Sequence, residues 1–149
     1  MKVYFLSHSR EVELGVKSSI HIGIYSSINI ADVTIEKYKE ITGFKDYPND
    51  FIVEEYEVIA RNNKEIVSGQ LVYFLQHEYS VEEDSVIYDY STNINIFENY
   101  DDAKKAMEEL IKESVFPKSP DGIYAPDGFN IDKCIVDKDN WTEGFVSFD

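Results

Sequence analysis

Val3-Tyr4-Phe5-Leu6-Ser7-His8 returns 69 residues later as Val72-Tyr73-Phe74-Leu75-Gln76-His77, identical at five of six positions. Residues downstream of each copy also correspond. Ile94-Asn95-Ile96-Phe97 follows the pattern of Ile22-Gly23-Ile24-Tyr25 at an offset of 72, and Phe129-Asn130-Ile131 that of Phe51-Ile52-Val53 at 78. The growing offset places small insertions in the hairpin and in the loop after the helix, where chains tolerate them. A diverged tandem duplication is the expectation, with a first unit at 1–66 and a second at 67–149 that has longer loops. In a chain of 149 residues each copy is near the size at which an isolated core is marginal, so both are expected to share one compact globule.

Each unit reads as strand, strand, helix, strand. Lys2 to His8 alternates and is rich in aromatic and β-branched residues, as a strand requires. Ser9 to Ser19 is polar and predicts a long hairpin loop, and Ile20 to Tyr25 returns to strand. Ser26-Ser27 offers a helix N-cap, with Asn29 as the alternative. Ala31, Ile35, Tyr38 and Ile41 recur at helical spacing up to Gly43, a C-terminal glycine. Phe51 to Ile59 is the third strand, and Arg61 to Lys64 is a polar connector. In the second copy, Leu71 to Tyr79 is a strand and Ser80 to Asp84 begins an acidic loop. Asn99 caps a helix whose apolar face is Ala103, Met107, Leu110 and Ile111, and Asp101 and Asp102 suit its first turn. Trp141 to Phe148 suggests a C-terminal strand. A helix crossover after a hairpin gives strand order 2-1-3 with the Tyr-Phe-Leu strand central. The fold expected is α+β, a mainly antiparallel sheet with two helices and pseudo-twofold symmetry.

Ile22-Gly-Ile-Tyr-Ser-Ser27, Gly43-Phe-Lys-Asp-Tyr-Pro48 and Asp137-Lys-Asp-Asn-Trp-Thr-Glu-Gly-Phe145 together resemble the pattern of a small uncharacterised bacterial domain family. That pattern opens on a strand ending in His and closes on the Trp-Thr-Glu-Gly-Phe stretch. Here its motifs are divided between the two copies. The resemblance implies an accessory or immunity-type protein and no catalytic residues.

No cofactor is expected: glycine-rich phosphate loops and the Gly-x-Ser-x-Gly motif are both absent. His8 and His77 are the candidates for a metal or an acid–base pair. No His-x-x-x-His or Cys-x-x-Cys spacing supports them, and strand-end capping is the simpler role. The helix N-terminus at Ser26-Ser27 could hold an anion. The lone Cys134 sits among strand residues as a buried thiol and marks no oxidising compartment. Nothing resembles a signal peptide or a membrane span, which makes the cytoplasm the expected location.

Charge is the strongest functional signal. Fourteen Lys and Arg stand against 29 Asp and Glu, a net charge of −15. Residues 1–66 contribute −3 and residues 67–149 contribute −12. Such a surface repels nucleic acid and anionic lipid and steers a basic protein. Glu82, Glu83, Asp84, Tyr88, Asp89 and Tyr90, with Trp141 and Glu143, combine aromatic rings and carboxylates as protein interfaces do. The function expected is a non-enzymatic acidic protein-binding module, concretely an immunity-type inhibitor of a basic toxin. The alternatives are a small enzyme or metal-dependent sensor built on His8 and His77, and a structural protein that self-associates through its strand edges, so the oligomeric state stays open.

Overall fold

The computed structural model describes residues 1–13, 16–62, 64–113, 116–117 and 128–145. They form an α+β fold of two helices and two three-stranded antiparallel sheets, distributed over two compact units.

The first unit holds β1 (Lys2–Glu13), β2 (Val16–Tyr25), α1 (Ile28–Tyr38), a 3-10 turn (Phe44–Asp46) and β3 (Phe51–Glu57), in strand order β2-β1-β3. Both faces of β1 are buried. Val3 and Phe5 fill one side, while Leu6 packs with Ile22, Tyr25, Ala31, Tyr38 and Phe44 beneath the helix. Ser27 caps α1, its hydroxyl accepting from the Ile30 amide at 3.2 Å, so Asn29 lies inside the helix. Ala31, Thr34 and Tyr38 then face the sheet at helical spacing. Gly43 is not a simple helix terminus. At φ 91° it opens the 3-10 turn, packed so closely on Phe145 that a Cβ would overlap that residue's carbonyl and ring.

The second unit holds β4 (Leu71–Glu83), β5 (Val86–Phe97), α2 (Tyr100–Glu113) and β6 (Phe129–Ile135), in order β5-β4-β6. Leu75, Phe97, Ala103 and Phe129 form its core, with Met107, Leu110 and Ile111 of α2 packed on it. Asp101 and Asp102 occupy the first helical turn.

Two expected loops are strand. Ser9 to Glu13 continues β1, Val16 to Ser19 begins β2, and Ser80 to Glu83 continues β4. Polar composition hid them because, among the described residues, these ends run on as two-stranded ribbon and do not follow apolar alternation, Ser80 being buried although polar. Asp84 and Ser85, at φ 51° and 65°, make the tight turn between β4 and β5.

The division of the chain also differs from the expected 1–66 and 67–149. Val58–Asn63, which follows β3, belongs to the second unit, whereas Lys64–Gln70 and everything from Ile135 belong to the first. The expected C-terminal strand is not formed over Trp141 to Phe145, and residues 146–148 lie outside the described residues. The cause is local. Asp137 adopts φ 66° directly after β6, turning the chain to run along the edge of β2. Among the described residues no helix is long and apolar enough to cross a membrane.

Candidate protein-binding surface

Among the described residues, the second unit's hairpin outruns its third strand. β6 flanks β4 only up to Glu78, whose amide donates to the Gly128 carbonyl at 2.8 Å. Beyond that point the described residues of β4 and β5 form a two-stranded ribbon. Cross-strand pairs share a face, so Tyr79 with Tyr90, Val81 with Tyr88 and Glu83 with Val86 make one side. Tyr79 and Tyr90 stack with centroids 5.0 Å and planes 18° apart. Tyr88 is half-buried, whereas Val86 and Tyr90 are exposed. The opposite side pairs Ser80 with Asp89 and Glu82 with Ile87, and the Ser80 hydroxyl donates to the Asp89 carboxylate. Glu82, Glu83 and Asp84 stand exposed at the tip.

From Leu71 to Ala103 there is no Lys or Arg. Glu78, Glu82, Glu83, Asp84 and Asp89 therefore project from the hairpin without a neighbouring cation on it. The sequence of the first unit's hairpin is different, carrying Lys2, Arg10 and Lys17 as well as Glu11 and Glu13. The structure thus brings six of the eight expected interface residues onto one ribbon. Trp141 and Glu143 lie instead in the first unit, exposed on the segment after β6.

That segment builds a hydrogen-bonded clasp on the first unit. The Asp137 amide donates to the Ile24 carbonyl at 2.8 Å and the Asn140 amide to that of Ile22 at 2.7 Å. The Asp137 carboxylate accepts from the Ser26 amide at 2.8 Å and the Ser26 hydroxyl at 2.6 Å. It therefore holds Ser26, the residue before the N-cap, while Ser27 itself serves the Ile30 amide. Asp139 accepts from the Tyr25 hydroxyl at 2.6 Å and from Lys37 at 2.5 Å, and the Tyr38 hydroxyl donates to the Trp141 carbonyl. Burial, aided by the Asp139 charge, pushes the Tyr38 hydroxyl up to about 12; Tyr25 is raised further, by burial and then by its bond to Asp139. Sequence reasoning missed this clasp. The signal was present in the three motifs of the resemblance, which meet here: Ile22–Ser27 offers the edge, Gly43–Pro48 the close approach, and Asp137–Phe145 the strap.

His8 and His77, expected at strand ends, lie within β1 and β4 because both strands run on past them, and they are buried in separate aromatic settings. His8 packs edge-on to Phe51 at 4.8 Å and to Phe44 at 5.0 Å between centroids. His77 meets Phe129 at 4.8 Å and Phe116 at 4.7 Å. His8 Nε2 lies 3.0 Å from the Tyr47 carbonyl, which can only accept; Nε2 therefore carries the proton and leaves buried Nδ1 without a partner. No group of three His, Cys, Asp or Glu side chains among the described residues could hold a metal. Cys134 is half-buried, and burial followed by the nearby Asp132 raises its thiol to about 11, which disfavours the nucleophilic thiolate.

Residues 1–66 match the model of a family described as a domain of unknown function, DUF7336. The match takes in the first sheet and helix and stops before the clasp segment. No curated protein and no solved structure matches the chain.

Proposed function

We propose that the chain is a non-enzymatic binding module that engages a basic protein through the β4–β5 ribbon, concretely as an immunity-type inhibitor covering a toxin's cationic active site. The observation that carries this reading is the ribbon itself: exposed Tyr90 and half-buried Tyr88 on one face, Glu82, Glu83 and Asp84 at the tip, and no basic residue on either strand. Aromatic anchors set among uncompensated carboxylates suit a partner rich in Lys and Arg.

We also infer that the two units are diverged copies of one ancestor. Strand order is the same in both, with a helix between the second and third strands. The central strand has a register shift after Leu6 in one and after Leu75 in the other, 69 residues apart. His8 and His77, one on each central strand, pack on two phenylalanines at matching offsets, Phe44 and Phe51 against Phe116 and Phe129. Divergence is then informative, because the paired hairpins differ most in charge. The histidine-centred alternative has less support, since aromatic packing already accounts for both rings.

The test is a side-by-side capture from the native host using the wild-type chain and the triple variant E82K/E83K/D84K. A basic protein retained by the first and released by the second supports the reading. Equal retention, or a chain that only pairs with itself by size measurement, overturns it.

A further inference from the structure

We infer that the partner is held by strand addition: an extended, lysine- or arginine-bearing segment pairs along the outer edge of β5. This rests on the basic-partner reading and specifies how contact is made.

β5 ends its sheet, and register shows which of its backbone groups face outward. In an antiparallel pair, residues alternate between those bonded to the neighbouring strand and those pointing away. Glu78 donates toward the β6 side, so the odd-numbered β4 residues Tyr79 and Val81 bond β5, at Tyr90 and Tyr88. The amides and carbonyls of Ile87, Asp89 and Ser91 consequently face away from β4, and no described segment pairs with them. Edge strands are ordinarily blunted by Lys, Pro or a short length. β5 is 12 residues long, contains neither residue type, and exposes Val86, Ile87 and Tyr90.

The fold already uses this edge. Farther along β5, Ile59 lies parallel to Phe97, donating to the Ile96 carbonyl at 2.9 Å and accepting from the Glu98 amide at 3.0 Å. The clasp does the same on β2 through Ile24 and Ile22. The open stretch of β5 continues an edge that takes up extended chain. Its carboxylates, with no cation on either strand of the hairpin, choose a basic occupant over an acidic or neutral one.

The experiment follows backbone amides of the full chain at low salt as two peptides are added, one alternating lysine and valine over roughly eight residues, the other glutamate and valine. The lysine peptide is expected to bind and to slow hydrogen exchange at Ile87, Asp89 and Ser91 by about tenfold or more, the glutamate peptide to do neither. Ser91→Pro removes an outward donor without touching the β4 ladder and should weaken lysine-peptide binding about tenfold. If the lysine peptide binds while these amides exchange unchanged and Ser91→Pro has no effect, strand addition is wrong and the basic-partner reading survives. If the two peptides behave alike, the charge reading fails with it. The exchange measurement on the wild-type chain decides even if the proline variant misfolds.

Discussion

Gly43 and Gly69 both have a positive φ, 91° and 86°, in opposite surroundings. Nothing lies within 4 Å of a Cβ at Gly69, so Gly69→Ala should lose only the left-handed penalty of about 1–2 kcal/mol. Gly43→Ala must also displace Phe145, adding about 1–3 kcal/mol of overpacking. Denaturant midpoints of the two variants measure that difference. Tyr25 and Tyr38 set an alkaline limit by the same packing. Both hydroxyls titrate above the ordinary value of 10 in the folded chain, so their contribution is complete below pH 10 and is lost as pH rises through the folded values. Stability should hold to about pH 10 and fall by about pH 12, and a Tyr38→Phe chain should show a shallower fall. None of this was readable from residue type, because Gly43, Tyr25 and Asp139 acquire their roles only when residue 139 meets residue 25.

At the scale of elements, strands and helices were legible wherever a buried face imposed a period. Ala31, Thr34 and Tyr38 mark α1, and the alternation around Leu6 and Leu75 marks the central strands. The ribbon ends escaped notice because Ser9, Ser18 and Ser19 answer to no core. The clasp and its counterpart carry ion pairs of opposite sense. Asp139 on the strap meets Lys37 of α1, while Arg61, after β3, grips Asp102 of α2 through Nε at 3.1 Å and Nη2 at 2.9 Å. The bond from Arg61 holds the Asp102 carboxyl below its ordinary range, so this pair supports folding above the ordinary carboxylate pKa and is lost as pH falls through the lowered one. Lys37→Glu should hasten exchange at the Asp137 and Asn140 amides and leave Ile59 and Glu98 unchanged. Arg61→Glu should do the reverse. Lys37→Arg keeps the charge and should keep the slow rates at Asp137 and Asn140, whereas replacing Asp139 would also strip Tyr25 of its acceptor.

For the whole molecule, the repeat told more about fold than about activity. His8 and His77 close the two repeated hexapeptides, yet each ring is occupied with the phenylalanines of its own unit. The acidic excess of the second half was visible as a number. That Glu82, Glu83, Asp84 and Asp89 share one ribbon with no cation on it became visible only when Ser80 to Glu83 proved to be strand, which set Tyr88 and Tyr90 beside Val81 and Tyr79. Trp141 and Glu143 looked alike in composition but belong to the first unit, since the turn at Asp137 carries them there.

Association kinetics with the captured basic partner test the central claim most directly. Exposed charges lose most of their mutual attraction beyond a Debye length, about 10 Å at 0.1 M salt. Between about 0.02 and 0.5 M salt the association rate of the wild-type chain should fall at least tenfold, and that of E82K/E83K/D84K should start low and change little. A wild-type rate that does not depend on salt, or a triple variant that associates as fast as wild type, would contradict the acidic ribbon as the binding surface.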